Sequence, residues 1–427
     1  MIKSVYGTKD VLPGEIQHWS FIEHSVRQIF TAFNYSEIRT PIFEETALFA
    51  RGIGENTDIV GKEMYTFHDR GDLSITLKPE MTASVMRSVI EHSVLAAHPL
   101  AKLFYISPMF RQERPQAGRL RQFHQFGAEA LGNSSPILDS EMIVMAYRIL
   151  KRLGVQNLSL KINSLGTPEE RIVYKEVLKD FLSDKVQTLS EESKKRYTTN
   201  ILRIFDSKDK SDQEIMRNAP ILSSYFTDET KQKFEIVQSI LQKEEIPFEI
   251  DNALVRGLDY YTHTTFEIVS GSVGSQSALC GGGRYDGLAE QLGSKPIPGV
   301  GFAAGIERII LALQNENSLP APQDRIMVYL VQVSKSNEIS ELTTQLANKL
   351  RVQGVPTEFD YSERSVKAQM REANKLNASN VLFIGGDEFL RNCATLKNMS
   401  DGTQVEIPLE NIVSYVLENF GGKNAAS

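Results

Sequence analysis

The sequence predicts a mixed α/β protein built from two domains. Three observations support this: a β-hairpin with a polar face at residues 105–130, helical spacing throughout residues 168–246, and a strand–helix–strand–helix–strand alternation after residue 325. A chain of 427 residues is long enough for two or three domains. We therefore expect a first domain at residues 1–320, with a helical insertion at about 168–246, and a small α/β domain at residues 325–427.

Composition and charge are those of an ordinary globular protein. Apolar residues make up 41% of the chain, the formal net charge is −7, and the two cysteines, Cys280 and Cys393, lie far apart without a CxxC pattern. No apolar run reaches membrane-spanning length, and the N-terminal sequence lacks the basic-then-apolar pattern of a secretory signal. We therefore expect a cytoplasmic protein without membrane contact, disulfide framework or structural zinc. Contacts with nucleic acid must come from local basic patches, because the protein as a whole is acidic.

A helix and a strand open the chain. Apolar residues recur at helical spacing over residues 15–33, and a strand follows from Tyr35. Pro41 in that strand is typical of an edge or an interface. A second short strand ends at Lys78-Pro79, and the next helix is predicted to begin at residues 80–82. From the residue types alone, Thr82 could cap that helix and Glu80 could stabilise its positive end.

The hairpin at residues 105–130 carries the densest polar pattern. Residues 105–113 form the outgoing strand, Pro115 and Gly118 supply the turn, and residues 121–130 return. Since alternate side chains of a strand share a face, one face combines two arginines, an aromatic ring, an amide and two carboxylates, contributed by Arg111, Glu113, Arg121, Phe123, Gln125 and Glu129. A structural strand would place apolar groups there; the alternative is a solvated face with scattered ion pairs.

The middle of the chain alternates between regular elements and glycine-rich segments. A helix is predicted at residues 136–150 and strands at 158–162 and 265–269, with a mixed-charge helical segment between the strands. Such a charged face is usually solvated surface. The glycine clusters at 281–283 and 299–305 do not match the GxGxxG spacing of a dinucleotide-binding turn.

A linker is predicted at residues 314–325, where proline and polar residues are frequent. Strands at 326–333, 357–361 and 381–384 then alternate with helices at 336–353 and 365–376. This alternation predicts a small, mostly parallel α/β domain.

The hairpin sequence FRQERPQAGRLRQFHQFGAE resembles motif 2 of the class II aminoacyl-tRNA synthetases, in the form found in histidyl-tRNA synthetases. The helix and the Pro41 strand resemble motif 1, which forms the dimer interface in that family. GVGFAAGIER, ending at Arg308, resembles motif 3. The resemblance implies an antiparallel catalytic sheet flanked by helices, an insertion that leans on the tRNA acceptor stem, and a C-terminal anticodon-binding domain.

RGLDYY, residues 256–261, resembles the second histidine-specific signature of those enzymes. The resemblance implies that Arg256 contacts the α-phosphate and the amino-acid carboxylate, and that Tyr260 and Tyr261 close the imidazole pocket. Strict strand alternation would put Arg256 and Tyr261 on opposite faces, so this assignment requires an irregular backbone near Gly257. The family usually has arginine at Lys78. Lys78 and His263 are left without a role.

The resemblance implies ATP-dependent attachment of L-histidine to tRNA(His) through a histidyl-adenylate, in a homodimer that uses ATP with Mg²⁺ and no tightly bound cofactor. The implied catalytic residues are Arg111 and Arg256, and the metal ligands stay unassigned. The implied histidine-binding residues are Glu80, Thr82, Arg111, Gln125, Glu129, Arg256, Tyr260 and Tyr261. The implied ATP-binding residues are Arg111, Glu113, Arg121, Phe123 and Arg308, with Glu113 orienting either the adenine amino group or Arg111.

Two other functions compete with this prediction. A catalytically silent regulatory paralogue would bind histidine, but such proteins typically lose catalytic arginines and the C-terminal domain, which this chain keeps. Another ATP-dependent carboxylate ligase would not need the tyrosine pair beside Glu129. The tRNA identity elements do not follow from the sequence.

Overall fold

The computed structural model describes residues 2–54, 57–276, 278–320 and 326–420. The chain divides into two compact units, Met1–Pro320 and Ala321–Ser427. None of the helices in the described ranges is both long enough and apolar enough to cross a membrane.

The first unit is organised around an eight-stranded sheet. Its strands, with those of a small second sheet, are β1 (Ser36–Glu37), β2 (Phe43–Glu45), β3 (Tyr65–His68), β4 (Ser74–Leu77), β5 (Ala101–Phe110), β6 (Gln122–Leu131), β7 (Leu158–Ser164), β8 (Phe248–Ile250), β9 (Thr262–Ser270), β10 (Ala278–Arg284) and β11 (Gly299–Gly305). The large sheet has the order β1-β5-β6-β11-β10-β9-β7-β8, and the small sheet is β2-β4-β3. Only the two outermost pairings of the large sheet are parallel, so the expected antiparallel catalytic sheet is confirmed.

Helices pack on both faces of this sheet. The helices of the unit are α1 (Pro13–Ala32), α2 (Thr46–Ile53), α3 (Thr82–Glu91), α4 (Val94–Ala97), α5 (Pro136–Arg152), α6 (Pro168–Leu182), α7 (Glu191–Thr199), α8 (Lys210–Met216), α9 (Asp228–Lys243), α10 (Leu288–Gln291) and α11 (Ile306–Asn315). The main core joins Phe30 of α1, Ile143 of α5 and Ile309 of α11 to Phe126 and Phe302 of the sheet. The helices α1, α5, α9 and α11 pack on this main-core face, and α3 and α10 pack on part of the other face. Because successive strand residues point to opposite faces, Gln125, Gly127 and Glu129 are presented on the other face.

The helical segment after β7 contains its own apolar cluster. Tyr174 and Leu178 of α6 pack with Ile201 and Ile204 of a short 3₁₀ segment, Ile201–Asp206. The helix α9 instead contributes Val237 and other residues to the main core. The helices α6 to α8 therefore form a separate packing layer beside the sheet.

The predicted strand around Pro41 is wrong. β1 is two residues long, and Pro41 lies between β1 and β2, in neither strand. A last hydrogen bond to the large sheet follows β1: the N–H of Ile38 donates to the carbonyl of Phe104 at 2.8 Å. After Ile38 the chain leaves the edge of that sheet. It then enters the small sheet at Phe43.

The second unit follows the predicted alternation. Its elements are β12 (Val328–Gln332), α12 (Asn337–Val352), β13 (Thr357–Phe359), α13 (Val366–Lys375), β14 (Asn380–Ile384), β15 (Cys393–Asn398), β16 (Gln404–Pro408) and α14 (Ile412–Phe420). The sheet order is β13-β12-β14-β15-β16. The first three strands are parallel, but β15 and β16 add two antiparallel pairings. The expectation of a mostly parallel sheet is therefore wrong, because the sequence analysis assigned no strands after β14.

The predicted linker at 314–325 begins later than expected. The helix α11 continues to Asn315, and Leu319 packs against the main core. The part of the prediction that covers residues 321–325 lies outside the described residues.

Candidate active site

A cavity of about 160 Å³ opens on the face of the large sheet opposite the main core. Six of the site residues expected from the sequence line it: Arg111, Glu113, Phe123, Gln125, Arg256 and Arg308. These residues come from the hairpin, from the segment before β9 and from α11, so the sheet order β6-β11-β10-β9 brings together positions almost 200 residues apart.

The hairpin supplies the floor of the cavity. β5 and β6 pair over ten residues each, with Ser107 opposite Gln125 and Met109 opposite Phe123. Beyond the strands the hairpin continues through one backbone bond, from the N–H of Arg111 to the carbonyl of Arg121, at 2.9 Å. Arg111 and Glu113 therefore lie in the connecting loop. The prediction that both belong to the outgoing strand is wrong.

The cavity is rich in guanidinium groups that the backbone holds in place. Arg111 Nε donates to the carbonyl of Pro79 at 3.0 Å, and its guanidinium lies 5.3 Å from the centre of the Phe123 ring. Arg308 Nε donates to the carbonyl of Gly118 at 3.0 Å, and its Nη1 donates to the carbonyl of Ala278 at 2.8 Å. Carbonyl acceptors orient a guanidinium without removing its charge.

Mutual repulsion is evident among these cations. Burial lowers the pKa of Arg308, and the positive charges of Arg119 and Arg111 lower it further, against the attraction of Glu113. Burial raises the pKa of the Glu113 carboxyl, although Arg119, whose Nε lies 3.1 Å from Glu113 Oε2, works in the opposite direction. Several cations held near one another in a cavity are suited to an anionic ligand, which would relieve their repulsion.

The glycine-rich strands β10 and β11 make room for two charged side chains. A Cβ atom on Gly281 would overlap the guanidinium of Arg256, and one on Gly301 would overlap the carboxylate of Glu129. Glycine is needed at these two positions because the side chains of Arg256 and Glu129 lie directly against the strand backbone.

A buried network adjoins the cavity around Glu129. Thr82 Oγ1 donates to Glu129 Oε1 at 2.7 Å, and the hydroxyl of Tyr285 donates to Glu129 Oε2. Burial raises the pKa of Glu129 to about 8, even though both hydroxyl donors lower it. The Tyr260 ring lies 4.7 Å from that of Tyr261 and 5.5 Å, edge-on, from that of Tyr285. Glu129 and the three tyrosines Tyr260, Tyr261 and Tyr285 form a buried cluster with one carboxyl group at its base, here called the aromatic chamber.

Glu80 stabilises the positive end of the helix α3, as the residue types alone predict, although the N-cap position itself is Met81. Its carboxylate accepts the backbone N–H groups of Thr82, at 2.7 Å, and Ala83, at 3.0 Å. Burial raises the pKa of Glu80, whereas these two bonds and the nearby charge of Arg111 lower it. Thr82 is not the cap, because its hydroxyl is directed to Glu129. Glu80 and Thr82, two positions apart in the chain, therefore both lie beside the aromatic chamber.

The RGLDYY segment precedes β9 and is not part of a strand. Arg256 and Tyr261 consequently do not alternate: the Arg256 guanidinium lies 6.0 Å from the centre of the Tyr261 ring. Arg256 Nη1 also pairs with Glu267 Oε2 at 2.6 Å, and its Nε makes no hydrogen bond with any residue in the described ranges. The irregular backbone required by the resemblance is present, although it extends over the whole segment and Gly257 keeps a φ outside the left-handed region.

Arg121 stands apart from the other expected residues. Its Nη1 donates to the carbonyl of Tyr6 at 3.4 Å, its guanidinium lies 5.6 Å from the Tyr6 ring, and its Nε donates to the carbonyl of Glu113 at 3.4 Å. It is absent from the described residues that line the cavity. In this conformation Arg121 ties the N-terminal segment to the hairpin loop.

Lys78 and His263 also lie outside the cavity. Lys78 is fully buried, with Nζ at 3.5 Å from both Thr40 Oγ1 and Met81 Sδ, and burial lowers its pKa to about 8. His263 lines a separate small cavity near Arg284 and Asp286. Burial lowers the pKa of His263 as well.

The sequence analysis missed three contributors. Tyr285 reaches Glu129 across 156 positions, Arg119 pairs with Glu113, and Glu267 pairs with Arg256. Glu267 could have been found from its place in a predicted strand directly after the signature. Tyr285 had only its position beside the glycine cluster as a signal.

Among the described residues, no group of three or more histidine, cysteine, aspartate or glutamate side chains is arranged to hold a metal ion. Mg²⁺ commonly binds proteins through one or two carboxylates together with substrate phosphates and water. Glu113 and Glu307 are the carboxylates among the described residues that line the cavity, and they would suit a magnesium ion held jointly with substrate phosphates.

Comparison with known proteins agrees over almost the whole length. The family model described as Histidyl-tRNA synthetase matches residues 7–309, and the one described as Anticodon binding domain matches residues 327–419. The chain is 46% identical to the Histidine--tRNA ligase of Geobacillus sp. (strain WCH70), covering 97% of this chain and 98% of the relative. It is 48% identical to that of Halothermothrix orenii, covering 96% and 98%.

Solved structures extend the comparison. The apo histidyl-tRNA synthetase of S. aureus has a TM-score of 0.83 at 37% identity, covering 97% of this chain and 99% of that one. A Bacillus halodurans structure, whose title names an ATP phosphoribosyltransferase regulatory subunit/histidyl-tRNA synthetase, has a TM-score of 0.64 at 22% identity, covering 90% and 99%. That second likeness shows the fold alone. The family matches and the near-complete coverage of relatives show that this chain belongs to the histidyl-tRNA synthetase family.

Proposed function

We propose that this protein attaches L-histidine to tRNA(His) in two steps, with ATP as the energy source and histidyl-adenylate as the intermediate. The observation that carries the proposal is the junction of two sites: an arginine-lined cavity and an aromatic chamber with a carboxyl base meet at Arg256, which lines the cavity and lies 6.0 Å from the centre of the Tyr261 ring. The names of its relatives support the same activity.

The cavity is proposed to hold ATP with Mg²⁺. Phe123 and Arg308 are suited to hold the adenine between a phenyl ring and a guanidinium plane, since both line the cavity and such stacking is favourable. Glu113 would accept a hydrogen bond from the adenine amino group or orient Arg111. The magnesium ion of the nucleotide complex would neutralise phosphate charge. Arg121 stays a proposed ATP contact that requires its side chain to leave Tyr6.

The chamber is proposed to hold histidine. Glu129 would accept one imidazole N–H, and Tyr261 would donate its hydroxyl to the other ring nitrogen, with Tyr260 packed behind. Glu80, Thr82 and Gln125 would hold the α-ammonium and the carboxylate; the α-ammonium is a compact triple donor suited to carboxylate, hydroxyl and amide oxygens. Hydrogen-bonded recognition of this kind rejects substrates that lack the partner groups by roughly 10⁴-fold or more, so a separate editing site is unnecessary.

In the first step a carboxylate oxygen of histidine attacks the α-phosphorus of ATP. A new P–O bond forms, the bond to the β-phosphate oxygen breaks, and diphosphate leaves. Two anions approach each other, so fixed cations are needed more than acid–base groups. Arg111 and Arg256 are proposed for this task because their guanidinium groups stay protonated at any working pH. In the second step a terminal tRNA hydroxyl attacks the acyl carbon, and AMP leaves.

Residues 1–320 are proposed as the catalytic part and residues 325–427 as the anticodon-binding part. The two compact units and the boundaries of the two family matches support this division. The insertion at about 168–246 is proposed to approach the acceptor stem of the tRNA.

A homodimer is proposed through the region that resembles motif 1. Large apolar side chains on and beside the small sheet are exposed: Phe43 by 53%, Phe67 by 45%, Leu73 by 45% and Ile42 by 38%. Phe43 and Phe67 are placed on the same face by their registers with Leu77 and Ile75. An apolar face of this kind is expected to be covered by a second copy. Light scattering on purified protein should give twice the 47.9 kDa chain mass, and Phe43→Glu should give monomers.

The test of the function is exchange of labelled diphosphate into ATP with each of the twenty amino acids. Exchange should depend on histidine and respond little to the others. A regulatory paralogue would bind histidine without any exchange, and a different carboxylate ligase would exchange with another substrate. The exchange assay, rather than the fold, distinguishes the enzyme from a regulatory paralogue, because a structure titled as a regulatory subunit/histidyl-tRNA synthetase has the same fold.

A further inference from the structure

The segment 254–261 is here called the signature loop. The helical insertion forms hydrogen bonds with the backbone of two of its residues, Arg256 and Tyr261, which are proposed to contact substrate. Arg203 Nη1 donates to the carbonyl of Arg256 at 2.9 Å. Arg171 Nη1 donates to the carbonyl of Tyr261 at 2.6 Å. Each of the two arginines therefore holds the backbone of one substrate-directed residue.

The signature loop needs such support because it is not part of the sheet. Its backbone is irregular until β9 begins at Thr262. On its other side, the N–H of Asp259 donates to the carbonyl of Ile53 at 3.2 Å, at the end of α2. Guanidinium donors form stronger hydrogen bonds than neutral ones, so Arg171 and Arg203 are strong holds on the backbone of this loop.

Both arginines are themselves held by the insertion. Arg203 belongs to the segment Ile201–Asp206 and pairs with Asp206 Oδ2 at 2.9 Å, and its side chain is only 14% exposed. Arg171 lies in the first turn of α6. A third contact runs in parallel, from Asn200 Nδ2 to Asp259 Oδ1 at 2.9 Å. The insertion therefore contacts the loop from two separate elements, which constrains its orientation as well as its distance.

We propose that Arg171 and Arg203 are positioning residues of the histidine site, through which the helical insertion holds Arg256 and Tyr261 over the glycine strands. This inference rests on the proposed function, since it assumes that Arg256 and Tyr261 contact substrate. Neither Arg171 nor Arg203 is among the residues that line the substrate cavity, so they act through the loop. Histidine binding and the placement of the insertion are then coupled, and by linkage each favours the other.

The test compares Arg203→Met and Arg171→Met with Arg217→Met, an exposed arginine of the same insertion that serves as the matched control. In the exchange assay, the first two variants should raise KM for histidine at least tenfold and lower kcat, with a smaller change in KM for ATP. Arg203→Lys should recover part of the loss, because one donor is restored without the fork. Arg217→Met should behave as wild type.

Hydrogen exchange supplies a readout that does not depend on turnover. In wild type, histidine with ATP should slow amide exchange in both the signature loop and residues 201–206. Arg203→Met should speed exchange in the loop while the control leaves it unchanged. The inference would be overturned if folded Arg203→Met and Arg171→Met kept the wild-type KM for histidine. It would also be overturned if histidine binding left amide hydrogen exchange at residues 201–206 unchanged. Failure of the wild-type protein to exchange diphosphate would instead overturn the proposed function.

Discussion

Replacing Arg256 by Ala tests the central electrostatic argument. The Arg256 guanidinium pairs with Glu267 and lies across Gly281, and its side chain is 21% exposed. Removal leaves Glu267 unpaired, but that carboxylate is itself 22% exposed and stays partly hydrated. Because both side chains are mostly buried, the expected cost to the free energy of unfolding lies between about 1 kcal/mol, the upper end for exposed ion pairs, and about 3 kcal/mol, the lower end for a buried pair that loses one partner. The fold should survive the substitution.

The effect on the chemical step should be much larger. Removing one preorganised donor of a transition state costs about 2.7–4 kcal/mol, or roughly 10²–10³ in rate. In Arg256→Ala the unpaired Glu267 also adds a negative charge close to the proposed phosphate position. We therefore expect the rate of histidine-dependent diphosphate exchange to fall by about 10³-fold or more. The double variant Arg256→Ala/Glu267→Gln should recover part of that loss.

The measurement is steady-state exchange at saturating ATP and histidine, with circular dichroism melting as the test of folding and Arg217→Ala as the control. Exchange within tenfold of wild type, in a protein that melts normally, would remove Arg256 from the mechanism. Failure of Glu267→Gln to restore any rate would show that the orphaned carboxylate does not contribute.

Three further substitutions and conditions test the histidine chamber and its floor. At pH 8.5, where Glu129 is mostly ionised, Glu129→Gln should raise KM for histidine about 10- to 100-fold without changing KM for ATP, since a charge-assisted hydrogen bond worth about 1.5–3 kcal/mol is lost. Equal changes in both constants would refute this. In wild type, KM for histidine should fall as pH rises from 7 to 8.5, because Glu129 has a pKa of about 8 and accepts the imidazole N–H as a carboxylate. Tyr285→Phe should move that pH profile to higher pH, because the hydroxyl bond that it removes lowers the pKa of Glu129. An unmoved profile would exclude the contact between Glu129 and the imidazole. Gly281→Ala should reduce kcat about 100-fold by displacing Arg256. Gly287→Ala should not, because no atom of the described residues, its chain neighbours aside, lies within 4 Å of the added Cβ.

Sequence patterns predicted the local parts of this site. The hairpin, the beginning of α3 and the five alternating elements of the second unit follow from periodicity and from proline and glycine positions, which are properties of neighbouring residues. The resemblance added the pairing of Arg256 with Tyr261. It succeeded where strand alternation failed, because the segment before β9 is not a strand.

The sequence by itself therefore determined which residue types are available for the chemistry and which short elements carry them. Only the tertiary structure decided that Tyr285 supports Glu129, that Arg121 is held by Tyr6, and that two arginines of the insertion grip the signature loop. The physical reason is sequence separation: these contacts join positions from 53 to 156 residues apart. Periodicity describes one element at a time, whereas such contacts depend on the order of strands in the sheet and on where the insertion packs.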